Sequence, residues 1–484
     1  MQRKFLTSLI LIVLLNFLVK PFYIIGIDAE VQNRVGEEVY GNYFSLLNFS
    51  FLLNILLDLG ITNYNTRNIA QHPQLLQKHF YKILSLRMAL FILYATFTLL
   101  MGLFVGYNNY QFYLLSMLMI NQFLVALIQF ARSNFNGLMM FKTDAFISVL
   151  DRLLLIVFCS VLLWTNFFKG EFQIEWFIYA QTLAYAIAAI IAVGLLGNRI
   201  GQIQFTMKRT FSMAIIRQSF PYALLILLMM MYSRIDAVML ERILEDGKKQ
   251  AGIYAQGFRL LDAVNMFALL FAGLLLPIFA RMIKEKVSLQ PMVELAFKLL
   301  MSASVVTALI LFWNSGVVMN WRYPDAETVS STTFGLIILC FIPISLSYIF
   351  GTLLTANGSL KALNLMAFGG VALNVVLNLI LINKMEVVGA ATATIVTQIL
   401  TAIVQMVIAY KIFKFKINFS LYGRLLLLVA LMIAAFIVAD HWFADLAGGY
   451  KMLIELLIGV ALAFVLKLIS IKELLGILQD SSKK

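Results

Sequence analysis

From Phe5 onward the chain runs through one apolar stretch after another, most of them close to twenty residues long. That repetition restricts the fold more than any single residue does. About 20 mostly apolar residues in helical form cross the hydrocarbon core of a bilayer. In lipid every backbone N–H and C=O must be satisfied internally, which leaves helices or closed barrels. Barrel strands alternate polar and apolar residues in segments of about ten. These runs do not alternate, so they are helices. The chain is read as an all-α polytopic membrane protein. Its composition agrees: 62% of 484 residues are hydrophobic and 13% charged, against an apolar share near one half in soluble domains.

Fourteen spans are expected, roughly 5–27, 43–61, 80–105, 112–130, 145–165, 174–196, 219–240, 253–280, 293–318, 333–355, 363–382, 388–408, 425–439 and 452–468. The first contains Lys20 and Pro21, and no small-residue cleavage site follows it. It reads as a retained span rather than a signal peptide.

The connections test that count. Short loops on the cytoplasmic side are enriched in Lys and Arg. With Arg3 and Lys4 placed inside, the even-numbered connections are basic: Arg67, Lys78 and Lys82; Arg132 and Lys142; Arg199, Lys208, Arg209 and Arg217; Arg281, Lys284 and Lys286; Lys361; Lys411, Lys414 and Lys416. The odd ones carry Asp28, Glu30, Glu37 and Glu38, then Glu171, then Glu241, Glu245 and Asp246, then Asp325 and Glu327, then Asp440 and Asp445. One span more or fewer would break this alternation. Both termini are therefore expected in the cytoplasm. The net charge of +13 reads as a topology signal, and no nucleic-acid partner is expected.

An internal repeat divides the chain. "YGNYFSLLNFSFLLN", with Gly41 and Tyr43, matches "AGIYAQGFRLLDAVN", with Gly252 and Tyr254. "RSNFNGLMMFKTDAF" matches "TLLTANGSLKALNLMAF" through the pairs Asn136-Gly137 and Asn357-Gly358. Spans one to six thus read as a copy of spans seven to twelve in the same orientation. Two pseudo-symmetric six-helix lobes follow, at 1–200 and 201–418, with two additional helices in 419–484. Parallel repeats of this kind are a transporter architecture, with the substrate path between the bundles.

Charges inside the apolar runs are the candidate functional residues. At about 1.5 Å per residue, Lys20, Arg234 and Arg259 each lie ~8–9 Å below the outer face, with Asp236 and Asp262 at similar depth. Ionisable groups at such depth usually face a bundle interior or a wet cavity. Arg259 and Asp262, three apart, can pair along one helix face. Arg234 and Asp236, two apart, point about 160° away from each other. At least one of them needs a partner on another helix, and Arg259 or Lys20 would suit Asp236. Two bland readings stand beside a substrate chamber: snorkelling to the interface, and structural ion pairs that fix packing. Asn374 and Asn378 in "NVVLN" suit helix-to-helix hydrogen bonds or a cavity lining. Asp151 and Arg152 read as interfacial. Pro21, Pro221, Pro277 and Pro343 are expected to kink their helices. No catalytic residue and no metal-ligand spacing stands out: His72, His79 and His441 are scattered, and Cys159 and Cys340 sit in apolar runs.

The stretches "SFPYALLILLMMMYSRIDAVML", "GIYAQGFRLLDAVNMFALLFAGLLLPIFAR", "LLTANGSLKALN" and "GVALNVVLNLILIN…VVGAATATIVTQ" resemble the polysaccharide repeat-unit flippases, which include the O-antigen flippases of lipopolysaccharide synthesis. These belong to the multidrug/oligosaccharidyl-lipid/polysaccharide (MOP) exporter superfamily. The likeness runs over most of the chain and is strongest from the seventh to the twelfth span. It implies a flippase that moves undecaprenyl-diphosphate-linked oligosaccharide from the inner to the outer leaflet of the bacterial cytoplasmic membrane by alternating access. It implies no cofactor, a proton or sodium gradient as driving force, and polymerase or glycosyltransferase neighbours. By position, Lys20, Arg234 and Arg259 would meet the diphosphate or acidic sugars, and Asp236 and Asp262 would pair those charges or carry a coupling proton. The alternatives are a lipid II flippase or a multidrug/cation exporter of the same superfamily. A membrane polymerase or ligase is disfavoured, because the outward loops are too short to hold a catalytic domain.

Overall fold

The computed structural model describes residues 16, 19, 21–62, 65, 66, 69, 74–138, 140–165, 172–197, 200, 209–442 and 446–469. Helices make up nearly all of them, and no strand occurs among the described residues. A π-helical stretch, Tyr23–Asp28, leads into α1 (Ala29–Val35), α2 (Glu37–Leu52), α3 (Ile55–Asp58), α4 (Leu75–Val105), α5 (Asn109–Gly137), α6 (Phe141–Trp164), α7 (Ile174–Leu196) and α8 (Arg209–Ile243). Then follow α9 (Gly247–Lys284), α10 (Gln290–Trp313), α11 (Ser315–Arg322), α12 (Thr328–Leu339), α13 (Phe341–Ala356), α14 (Leu360–Phe413), α15 (Phe419–Trp442) and α16 (Gly448–Val465).

Among the described residues, eleven helical segments are long and apolar enough to cross a membrane. The protein is a multi-pass helical membrane protein. The expected eleventh and twelfth spans lie on α14, which leaves helical geometry at Glu386 (φ 51°, ψ −129°). The expected first span lies mostly outside the described residues. The expected second span is not one helix: α2 ends at Leu52, α3 lasts one turn, and Leu59 (φ 43°) and Gly60 (φ 80°) then take left-handed backbone. Gly60 adopts that conformation without steric cost, whereas Leu59 does so against its Cβ.

The prolines divide. Near Pro343 the tenth span is interrupted at one residue, Cys340, between α12 and α13, with its backbone still in the helical region (φ −60°, ψ −20°). The carbonyl four residues before a proline loses its partner, which suits an interruption there. At Pro221 and Pro277, α8 and α9 run on without a break.

By packing, the chain forms two compact units. One comprises Met1–Ala255 with Asn378–Val387, and the other Gln256–Leu377 with Val388–Lys484. This is a partition by contact, whereas the boundaries expected at 200/201 and 418/419 follow from the repeat read in the sequence. In the first unit α5 and α6 pack on α7, α2 packs on α8 and α5, and α3 packs on α4. Phe80, Ile83, Phe130, Phe135, Ala188 and Ala192 form its core, each at most 1% exposed. In the second unit α10 is the hub, touching α12, α13, α15 and α16. The appended pair α15–α16 is fastened there by Glu455 on α16, which is fully buried and accepts from Asn314 Nδ2 at 2.6 Å.

Candidate functional site

Within the first unit, α2 and the start of α9 cross with no side chain between them. The crossing residues are Gly41 and Gly252. A Cβ on Gly41 would fall on the Lys248 carbonyl and 2.5 Å from the Gly252 nitrogen, and one on Gly252 would fall on the Glu37 carbonyl. Only glycine allows backbones this close. Gln32 Nε2, on α1, donates to the Gly252 carbonyl at 2.9 Å.

A polar cluster sits among the neighbouring helix ends. Glu241, near the end of α8, is 8% exposed. Its carboxylate accepts from Ser45 Oγ of α2 at 3.0 Å and from Gln111 Nε2 of α5 at 2.7 Å, and pairs with Arg242 at 3.3 Å. Gln111 Nε2 also reaches Asn42 Oδ1 at 2.9 Å, while its Oε1 accepts from Arg242 at 3.2 Å. Gln111 closes a capping box with Asn108, which fixes where α5 begins. The Arg242 guanidinium lies 4.2 Å from the Tyr107 ring centroid. Burial, and after it the Glu241 carboxylate, push the Tyr107 phenol well above its ordinary range, so it stays neutral. The sequence pattern assigned Glu241 to an outward connection; the structure places it in the last turn of α8 and buries it, its neighbours supplying the donors that a buried carboxylate needs.

The charges selected from the sequence fall into two groups. Asp236 is fully buried in the first unit; Asn378 Nδ2 donates to it at 2.6 Å and Tyr254 OH at 3.0 Å. Asn378 thus makes the helix-to-helix bond expected of it. Arg234, also in the first unit, points elsewhere, as the spacing of two requires: its guanidinium lies 5.7 Å from the Phe51 ring centroid. In the second unit Arg259 and Asp262 pair along α9 at 3.9 Å, the i,i+3 geometry anticipated. Asn374, in that unit, is fully buried. Lys20 lies outside the described residues.

The sequence reading missed a second set of buried ion pairs and polar links. Arg87 of α4 bonds Asp58 of α3 at 2.5 Å. Arg132 forms two bonds to Asp144, at 2.7 and 3.2 Å. Tyr40 OH donates to Asp28 at 2.6 Å. Arg152, expected at the interface, donates to Tyr185 OH at 2.8 Å and lies 4.9 Å from the Tyr23 ring centroid. The signal for Arg87 is legible in "ILSLRMALF", an arginine within an apolar run. Among the described residues no three His, Cys, Asp or Glu side chains gather as a metal site.

Residues 5–283 match the family model of the polysaccharide biosynthesis proteins. The chain belongs to that family. Its fold is that of the MOP-superfamily transporters. It is similar to the lipid II flippase MurJ in an inward closed conformation, with 14% identity, a TM-score of 0.67 and 96% of each chain covered. It is also similar to an inward-facing multidrug resistance MATE family transporter, with 14% identity, a TM-score of 0.63, and 81% of this chain and 94% of that one covered. A MOP superfamily transporter from Pyrococcus furiosus matches at 14% identity and a TM-score of 0.59, over 84% of this chain and 95% of that one. No curated protein matches the sequence significantly.

Proposed function

We propose that the protein is a flippase for undecaprenyl-diphosphate-linked oligosaccharide, the repeat unit of an O-antigen, capsule or exopolysaccharide. It carries its substrate from the inner to the outer leaflet of the bacterial cytoplasmic membrane, with both termini in the cytoplasm. The observation that carries this reading is a conjunction: a polysaccharide-biosynthesis family chain has a fold shared over 96% of its length with a lipid II flippase. The relatives in fold are transporters, and no catalytic constellation is needed to move a lipid-linked sugar.

The residues fit that task. Arg234 and Arg259, with Lys20, are the cations for a diphosphate or acidic sugar, arginine being suited to bidentate phosphate contact. Asp262 holds Arg259 in place along α9. Asp236, buried between an amide and a phenol, is the group for a coupling cation, proton or sodium. The Gly41–Gly252 crossing and the Glu241 cluster close the outer ends of the second and eighth spans, and alternating access requires those ends to part. Polymerases and glycosyltransferases of the same polysaccharide are the expected neighbours.

Depletion in the native host, followed by mass spectrometry of undecaprenyl-linked oligosaccharides, tests the reading. A completed repeat unit should build up, and Arg234→Ala or Arg259→Ala at matched protein level should reproduce the build-up. The likeness in fold to MATE transporters favours a second reading as a multidrug or cation exporter. Unchanged lipid-linked sugars with increased sensitivity to cationic drugs would decide for it. Build-up of lipid II alone would point to the peptidoglycan precursor instead.

A further inference from the structure

Two turns at one end of the second unit bring together lysines that none of the roles above uses. We infer that the turn between α9 and α10 and the turn between α14 and α15 form a binding site for the head group of an anionic phospholipid in the cytoplasmic leaflet. The inference does not depend on what the protein transports; only the leaflet rests on the topology proposed above.

Three observations carry it. First, the two turns are bonded into one surface. Gln290 Nε2 donates to the Lys416 carbonyl at 3.1 Å, and the Lys416 amide donates to Gln290 Oε1 at 3.2 Å. Asn418 Nδ2 donates to the Glu294 carboxylate at 3.1 Å, and Gln290 Nε2 to its other oxygen at 2.8 Å. Beneath them Phe297 and Tyr422 meet edge to face, with centroids 5.2 Å apart. The helices that these turns join are long and apolar enough to cross a membrane, so the turns lie at its surface. Second, this surface is cationic, and the protein does not neutralise it. Residues 284–294 and 411–418 contain five lysines and two glutamates, an excess of three positive charges. Lys284, Lys286, Lys411, Lys414 and Lys416 are all exposed. None of them forms an ion pair among the described residues. Third, the backbone is unusual where lysines stand. Among the described residues five non-glycine residues have positive φ, and three are lysines just past helix ends: Lys286 (φ 53°) after α9, Lys414 (φ 52°) after α14 and Lys467 (φ 54°) after α16. Glycine is the usual residue there, because a Cβ makes left-handed backbone costly. A cation does suit a helix C-terminus, but Lys284 and Lys411 already stand in the last turns of α9 and α14.

The chemistry of the ligand follows from what lies between the lysines. From Lys411 the chain reads "KIFKFKINF", lysine alternating with apolar residues. Ile412, Ile417 and Phe419 are exposed, and so is Val287 on the other turn. Side chains of this kind enter the acyl boundary while the lysine ammonium groups stay at the level of the phosphates. An anionic phospholipid meets both demands, with acyl chains for the one and a phosphate lacking its own counter-charge for the other. A zwitterionic phospholipid carries a cation beside its phosphate and gains less. Clusters of lysine next to membrane-crossing helices bind anionic lipid in this way. The enrichment of lysine in cytoplasmic loops orients a chain, but it does not require two turns to converge or lysines to take left-handed backbone. A head group held by both turns ties the start of α15 to the start of α10.

The test titrates the full-length protein, in a neutral detergent, with dioleoyl phosphatidylglycerol or dioleoyl phosphatidylcholine and reads binding by microscale thermophoresis. Wild type should prefer phosphatidylglycerol, and added salt should weaken that preference. Lys286→Gly combined with Lys414→Gly puts glycine where the backbone is left-handed, so the melting temperature without lipid should not fall. Affinity for phosphatidylglycerol should nevertheless drop about fivefold per lysine, roughly thirtyfold for the pair. Lys78→Gln combined with Lys361→Gln removes two exposed lysines from other connections and should change the affinity little. If the glycine pair binds as wild type does, or the control pair loses as much, general basic charge explains the binding and the proposal fails. It also fails if wild type binds the two lipids equally. Geranyl diphosphate should not displace phosphatidylglycerol. Displacement at equal concentration would assign the lysines to the diphosphate of a transported lipid and overturn the phospholipid site. Should the glycine pair not fold, the lipid preference of wild type and the competition decide by themselves.

Discussion

Replacing Gly252 with valine should force α2 and the start of α9 apart where they cross. The reason is steric. A Cβ on either crossing glycine meets partner backbone, and the one on Gly41 would lie 2.5 Å from the Gly252 nitrogen. Ordinary contact needs about 3.5 Å, so the two backbones must separate by about 1 Å at the least. Carbonyls cannot rotate away as a side chain would. Overpacking of this kind costs ~1–3 kcal/mol. If the parted arrangement avoids the clash, the balance between closed and parted ends shifts roughly fivefold to 150-fold toward parting. Spin labels at Glu38 and Lys249, both exposed and close to the crossing, report it by double electron–electron resonance. The buried Cys159 and Cys340 are first replaced by alanine. Wild type should give one short, narrow distance distribution, and Gly252→Val a second population at longer distance. An unchanged distribution with an unchanged melting temperature would show that the helices do not cross at these glycines.

Other consequences can be measured directly. Glu241→Leu removes the acceptor of the Ser45 hydroxyl and one of the two acceptors of the Gln111 amide and should cost ~1–3 kcal/mol, read as a lower melting temperature in detergent; Glu241→Gln, which keeps an acceptor, should cost less. Asp236→Ala should destabilise the fold more than Asp236→Asn, because only the former strips both Tyr254 and Asn378 of a partner, and both variants should lose gradient-driven transport. Glu455→Ala should loosen the appended helices from α10, seen as faster hydrogen exchange in α15 and α16 than in α5.

Much of the fold was legible in the sequence because the bilayer enforces a simple rule: a helix must be long and apolar. The eleven helices among the described residues that are long and apolar enough to cross a membrane follow from that rule alone. The interruption of the second span was not read from the sequence, although "FLLNILLDLGI" carries Asn54, Asp58 and Gly60 within an otherwise apolar run. What breaks it is tertiary: Arg87 from α4 takes the Asp58 carboxylate, and Asn54 bonds Gln122 of α5. The charge pattern was read correctly where a pair is local, as for Arg259 and Asp262. It did not reveal that Glu241 is buried, because its partners Ser45 and Gln111 are remote in sequence. Depth along a helix can be counted from a sequence. Which helix supplies the counter-charge cannot.

The glycine crossing joins these levels. Gly41 and Gly252 were paired in the sequence as equivalent positions of two repeats, and in the structure they touch each other. Two positions related by a two-fold axis meet only where that axis passes between them, as in any isologous contact. If the two stretches are copies of one repeat, the crossing lies on its pseudo-axis, and a separation there moves both copies alike. Gly41→Val and Gly252→Val should accordingly shift the distance distribution by similar amounts. Because one separation relieves both clashes, the double variant should fall well short of the sum of the two, a coupling that distant, independent sites would not show. Strict additivity would mean that two unrelated contacts happen to lie side by side, and would count against the repeat.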